Sequence, residues 1–296
     1  MRKYLIILLL FSSNCPAQEL FVASEPASNM AKGSVGFRIT SRLFQMNHDR
    51  NFEDYRISPE IRLGISKKVM LHLAAYGANM FQRSFRMEGG SLYGKYRFLS
   101  KDEVHTHFRM AAYGKIAFVN NPEFLTSIHK HQIPDGNGGF VVHDLLVISE
   151  SDDLDLDGNT SGMNVGLVAT KLINKFATSI SVGFGQRFNN LHVKSPSFQA
   201  KNEINYSASA GYLLFPRQYA SYHQLNCNIY LEVLGSSLTD KKGYYLDVAP
   251  AVQFIINSIA RIDLGYQNQL SGNTARLSNN MFVLRMEYNL LNLFGK

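Results

Sequence analysis

Short clusters of acidic and imidazole side chains are the first candidates for chemistry. Asp153-Leu154-Asp155-Leu156-Asp157-Gly158 has the alternating acidic pattern of a calcium loop. Such a loop needs a bidentate carboxylate at its twelfth position, where this chain has Asn164, so the plainer reading is a solvated acidic stretch. His129-Lys130-His131, with His143 and Asp144 further on, could gather a transition metal, but spacing fixes no third ligand. His105-Thr106-His107 reads as polar lining, its two rings sharing one face of a strand. The stretch Asp135-Gly136-Asn137-Gly138-Gly139 follows no strand-to-helix junction and reads as a loop, not a phosphate cradle. Ser and His are both present, yet no spacing sets a nucleophile against a base, so no catalytic residue and no cofactor is assigned.

A second group of candidates is larger and more regular. Charged side chains occupy alternate positions in otherwise apolar segments. The basic ones are Arg38, Arg42, Arg56, Arg62, Lys95, Arg97, Arg109, Lys115, Arg187, Arg261 and Arg285. The acidic ones are Glu60, Glu203, Glu232, Asp247, Asp263 and Glu287. Arg285 and Glu287 are neighbours along one face and could pair.

The elements that carry these charges are strands. Residues 223–234 place Leu225, Cys227, Ile229, Leu231 and Val233 on one face and Gln224, Asn226, Asn228 and Glu232 on the other. Residues 281–294 set Phe282, Leu284, Met286, Tyr288 and Leu290 against Arg285, Glu287 and Asn289. Similar alternation occurs at 176–188 and 260–270, and more weakly in eight further segments, which predicts twelve strands. Many run about 10 residues or more, long enough to cross a bilayer at a tilt. Their connections alternate between tight turns, such as Ser66-Lys67-Lys68 and Asn174-Lys175, and longer polar loops, the longest at 120–161. Short inner turns alternating with long outer loops are the pattern of an outer-membrane barrel. Phe98, Phe176, Phe254 and Phe294 fall at the tight-turn ends on the apolar parity, and Phe118, Phe188, Tyr206 and Tyr244 at the long-loop ends, as two interfacial girdles would. Pro59 and Pro250 interrupt candidate strands, and a bulge or strand end is expected near each.

Composition agrees. The chain of 296 residues is 45% hydrophobic and 18% charged, which excludes a disordered protein. Its net charge of +7 is scattered and forms no basic run, so nucleic acid is not an expected partner. Met1-Arg2-Lys3 followed by the apolar stretch 4–11 and by Cys15-Pro16-Ala17 reads as a signal peptide over 1–17, with a mature start at Gln18. A lipoprotein signal acylated at Cys15 is the rival, disfavoured by Asn14. Residues 18–296 then form one barrel with a long extracellular loop near 120–161, and Cys227 is its only cysteine.

Several segments carry a family likeness. They include Glu25-Pro26-Ala27-Ser28-Asn29-Met30, Ser58-Pro59-Glu60, Gly64-Ile65-Ser66-Lys67-Lys68, Glu88-Gly89-Gly90-Ser91-Leu92-Tyr93, Val104-His105-Thr106-His107-Phe108-Arg109-Met110 and Asp157-Gly158-Asn159-Thr160-Ser161-Gly162. The chain resembles a largely uncharacterised family of Bacteroidota outer-membrane β-barrels. The resemblance implies an outer-membrane address and a transporter-like role, and it supplies no binding residues.

The expected fold is therefore an all-β, transmembrane antiparallel barrel of about 12 strands, with lipid outside. A lipid-facing charge costs several kcal/mol near mid-membrane, so the charged parity must face the lumen. Eleven basic against six acidic side chains predict a narrow passive route for small solutes with a modest anion preference. The alternative is a barrel plugged by its own charge pairs, serving as a structural or interaction module through its long outer loop.

Overall fold

The computed structural model describes Phe21 and residues 24–46, 54–81, 84–122, 124–134, 140–192, 194, 199–216 and 224–294. The side chains of 46, 124–134 and 140–150 lie outside this description, as do the expected signal peptide and Cys15. The strands are β1 (Val35–Met46), β2 (Asp54–Gly64), β3 (Val69–Ala78), β4 (Arg86–Asp102), β5 (Thr106–Val119), β6 (Phe124–Pro134) and β7 (Phe140–Glu150). They continue with β8 (Gly162–Ile173), β9 (Phe176–Arg187), β10 (Asn202–Phe215), β11 (Leu225–Leu238), β12 (Tyr244–Ile256), β13 (Ala260–Gly272) and β14 (Ser278–Leu290).

Twelve of these close into an antiparallel barrel, in which β5 pairs directly with β8 and β1 with β14. The closing ladder runs from Val35 opposite Leu290 to Met46 opposite Ser278, so the barrel begins and ends on one side, as an even strand count requires. The other two strands, β6 and β7, pair only with each other. This hairpin inside the long outer connection was not expected from alternation. Its signal is a set of β-branched residues, Val141, Val142, Val147 and Ile148, following the glycine-rich sequence Asp135-Gly136-Asn137-Gly138-Gly139. One connection on the tight-turn side, between Phe215 and Leu225, is also longer than the rest.

Outward positions form an apolar belt. Phe37, Ile39, Leu73, Leu92, Ile180, Leu231, Leu264 and Met286 are exposed, which in water would be a liability and in lipid is the resting environment. Phe98, Phe176, Phe294, Phe118, Tyr206 and Tyr244 of the two girdles are exposed as well. Cys227 keeps the outward parity but is buried.

The prolines meet the expectation in part: the β12–β13 ladder shifts register between Leu246 and Asp247, near Pro250, while the ladders of β2 show no shift near Pro59. At Pro59 the β2–β1 ladder is continuous, with Ile39 opposite, while the β2–β3 ladder has no pairs between Ile57–Gly77 and Glu60–Ala74. At Pro250 the ladder to β11 holds, while that to β13 lapses between Val248–Asn268 and Ala251–Gly265. The register is the same on both sides of each gap, so neither gap is itself a bulge. In an antiparallel strand the N–H and C=O of one residue face the same neighbour, so a missing N–H weakens one ladder and spares the other.

A chamber between two inward-folded segments

Alternation along each strand brings the predicted charges to the inside. Arg38, Arg56, Arg62, Lys95, Arg187, Glu203, Glu232, Asp247, Arg261, Asp263, Arg285 and Glu287 are all buried. Arg42, Glu60 and Lys115 are partly covered on the same parity. Arg97 and Arg109 sit at the tight-turn rim. Arg97 donates to the Lys67 carbonyl, and Arg109 to Asp102 and Ser28. His107 also bonds Asp102, at 2.8 Å.

The lumen these residues line is not empty. From β1 the preceding chain folds back into the barrel, and Phe21 with residues 24–33 forms a strap across it. Lys95 Nζ donates to the carbonyls of Pro26 (2.5 Å) and Ser28 (2.7 Å). The Ala27 N–H donates to Thr170 Oγ1 at 2.9 Å, and Ser24 donates through N and Oγ to Glu232 Oε2 at 2.9 and 2.7 Å. Phe21 is buried, with its ring edge-on to Tyr230 at 5.5 Å. Glu25 lies against Arg38 (2.5 Å) and Arg62 (3.6 Å). Burial alone would raise the Glu25 carboxyl, but these guanidiniums outweigh it and hold the group well below the usual carboxylate range. Beneath the strap Glu287 binds three cations, Arg62 at 2.6 Å, Arg38 at 2.9 Å and Arg261 at 3.0 Å. Its expected partner Arg285 is not among them. Arg285 instead donates to Thr40 Oγ1 and the Phe21 carbonyl, and no described carboxylate is within ion-pair reach of it.

From the long-loop end a second segment turns inward. The stretch 153–158 is not a free acidic loop, because its carboxylates, though Asp157 stays partly exposed, are drawn to cations of the barrel interior. Asp157 pairs with Arg42 at 2.8 Å and with Lys115. Asp155 approaches Arg56 at 3.5 Å, and Asp153 approaches Arg276 at 3.4 Å. Arg276 also bonds Asp247 at 2.9 Å and lies over the Tyr245 ring at 4.1 Å. Asp155 holds the turn itself, accepting from the Asp157 N–H and Asn159 Nδ2. Gly158 has φ +123°, and a Cβ there would meet Arg56 Nε at 2.5 Å, so glycine lets the turn close on that arginine. Burial pushes Asp157 up, but Lys115 and Arg42 prevail and its carboxyl sits well below the usual range. Asp155 moves the other way, because burial prevails over Arg56 and the Asp157 charge adds to it.

Between strap and loop lies a chamber of about 400 Å³. Arg38, Arg42, Glu60, Lys115 and Arg285 border it, together with Tyr76, Tyr93, Tyr113 and a run of serines and asparagines. Sequence reading did not place five carboxylates in the lumen: Glu25 and Glu88 were not singled out as charges, and Asp153, Asp155 and Asp157 were read as a solvated stretch. The signal was the cationic surplus of the strands. A narrow lumen stabilises unpaired cations poorly, so further anions were needed; Glu88 comes from the irregular end of β4 and the other four from segments outside the ladders. The histidines at 129, 131 and 143 lie on the β6–β7 hairpin, whose side chains are outside the description, and no metal-holding group of three occurs among the described residues.

A closed twelve-stranded antiparallel barrel with an apolar outer belt and a charged interior defines an outer-membrane β-barrel of a Gram-negative bacterium. The chain is similar in fold to an outer membrane channel from Pseudomonas putida F1, with a TM-score of 0.56, 9% identity, and coverage of 91% of this chain and 100% of that one. Matches to the beta domain of the Bordetella autotransporter Brka (TM-score 0.46, 12% identity, covering 88% of this chain and 99% of that one) and to the KdgM porin (0.43, 7%, 86% and 98%) are weaker. No protein-family model and no curated protein matches the sequence.

Proposed function

We propose that this barrel is a passive route for small solutes across the outer membrane, and that it belongs with the Bacteroidota barrels its sequence resembles. The observation that carries the transport reading is the chamber, a polar cavity of small-molecule size held inside a closed barrel. Its borders are narrow, since strap and loop each cross part of the lumen. Solutes would pass one at a time through the chamber, and the role is transport, not catalysis.

A modest anion preference belongs to this reading. The five added carboxylates offset most of the strands' cationic surplus. Among the Arg and Lys side chains that border the chamber, Arg285 has no described carboxylate within ion-pair reach. A cation in a low-dielectric wall focuses its field into the lumen and favours anions. Planar-bilayer recordings in a salt gradient test both parts. Measurable conductance with a reversal potential on the anion side is expected, and Arg285→Gln should move that potential toward zero. A cation-selective pore would exclude the anion preference. A barrel with no conductance would favour the second reading, a plugged module presenting the β6–β7 hairpin outside. The buried strap is the observation on that side.

A further inference from the structure

The chamber wall is asymmetric. Its cations gather on β1 and β14, with Glu60 on β2, whereas β4, β5, β8, β9 and β10 present rings, amides and hydroxyls, apart from Lys115 and Glu203. Two inward glycines shape this neutral side. Gly166 and Gly183 are register partners on β8 and β9, and Tyr113 of β5 is paired with Gly166. A methyl group on Gly166 would lie 2.6 Å from Tyr113 Oη, and one on Gly183 would lie 2.7 Å from it. The phenol therefore lies across both glycines, flat along the wall, with a ring face toward the chamber. Tyr93 continues the surface, its centroid 6.0 Å from that of Tyr113 and the planes 24° apart. At the far edge of the platform the amides of Asn164 and Asn205 converge. Their Oδ1 atoms lie 2.7 and 2.6 Å from the same point over Gly183. Asn164 Oδ1 is buried and has no hydrogen-bond partner.

We infer that this platform is a binding site for a neutral polyhydroxylated solute, a mono- or disaccharide, in which Tyr113 stacks on the sugar's C–H face and Asn164 and Asn205 bond its hydroxyls. The chemistry matches on three counts. A flat aromatic face accepts the apolar face of a pyranose. Side-chain amides offer both donors and acceptors, as adjacent sugar hydroxyls require. The chamber volume is at the low end of the range for small-molecule sites, roughly 300–1,000 Å³. Most bordering cations are already paired to carboxylates, and the charged side chain beside the platform is a carboxylate, Glu203, which accepts from Asn205 Nδ2 at 3.4 Å, so a hydroxyl-rich solute suits it better than an anion. The inference rests on the channel reading for the solute's route, but binding can be measured without conduction.

The chain has no tryptophan, so Tyr113→Trp would place a single indole in the platform. The test uses the full-length barrel in detergent micelles, titrated with glucose, with maltose, and with acetate and trimethylglycine as controls. A saturable millimolar emission change with either sugar, and none with the controls, is the expected result. In the Tyr113→Trp background, Gly183→Ala should weaken sugar binding at least about tenfold by filling the platform. Asn205→Ala, which leaves the wall unfilled and guards against a folding failure of the first variant, should weaken it several-fold. No saturable response to either sugar would overturn the inference, as would an equal response to acetate, which would instead mark an anion site near Arg285. Bilayer conductance measured on the same preparation reports the channel reading separately, because sugar binding without conductance would sink the channel and keep the site.

Discussion

The two segments that enter the barrel solve one problem in different ways. The strap brings one carboxylate, Glu25, and otherwise relies on neutral groups, its main chain bound by Lys95 and Thr170 and its Ser24 and Ser28 hydroxyls by Glu232 and Arg109. The wall beneath it is dry, and Glu287 is only 3% exposed at the centre of three arginines. The outer loop brings three aspartates, and Asp157 keeps 42% of its side-chain surface. Buried ion pairs are costly to break because the surviving partner is left unpaired without water, whereas solvated pairs are screened. The strap end is therefore the rigid end of the lumen, and the loop end is the one that pH and salt can loosen.

The largest expected effect comes from removing the strap. Deleting residues 24–30 should raise single-channel conductance several-fold, while the folded barrel is retained. Unchanged conductance would place the constriction at the loop and reverse the comparison. Next is the strap's seat. Glu287→Ala leaves Arg62 and Arg261 without their closest carboxylate contact to β14, and it should cost about 3–5 kcal/mol in urea unfolding of the lipid-refolded barrel. At the loop, Asp157→Asn should cost less, about 1–2 kcal/mol, because solvent screens its pairs with Arg42 and Lys115.

The pH dependence sharpens the difference within the loop. The folded Asp157 carboxyl is depressed, so the stability it adds is present above the unfolded carboxylate range, near pH ~4, and is lost as pH falls below it. Asp155 is raised, so its contribution is present in acid and lost as pH rises through the folded value. Stability profiles against pH should therefore show a smaller acid loss in Asp157→Asn than in the parent. The smallest effect is expected of Asp155→Asn, within about 0.5 kcal/mol at neutral pH, since it removes a carboxylate that burial disfavours. A large loss there would show that Arg56 depends on the Asp155 charge more than on Glu88, which it meets at 2.7 Å.

The barrel was legible in the sequence because period-two alternation is a local property of each strand. Leu231 next to Glu232, or Met286 next to Glu287, assigns a face without knowledge of any neighbour. The path of chain outside the ladders has no such local rule. Glu25-Pro26-Ala27-Ser28 shows no alternation that assigns it a face, and Asp153 to Asp157 reads as a water-facing loop. Their inward course depends on where Lys95, Arg38 and Arg42 come to lie, which only the closed barrel determines. The charge imbalance of the inward faces was visible, but it was read as an anion preference, and nothing local said that other carboxylates would enter the lumen to offset it. The pairing of Arg285 was misjudged for a related reason. Residues two apart on a strand share a face, yet Glu287 is claimed by arginines on β1, β2 and β13 that reach it across the ladder.

That convergence on Glu287 has a meaning for biogenesis. Arg38 belongs to the first barrel strand and Glu287 to the last, and the two residues are register partners across the closing seam. Until β14 arrives, Arg38 and Arg62 have only Glu25 and Glu60 as carboxylate partners, and Arg261 has only Asp263. The arrival of one carboxylate thus completes a circuit spanning four strands and holds the strap's seat at the same moment. Assembly has an electrostatic end point, and a barrel that stalls before its last strand docks is marked by arginines still waiting for their counter-charge.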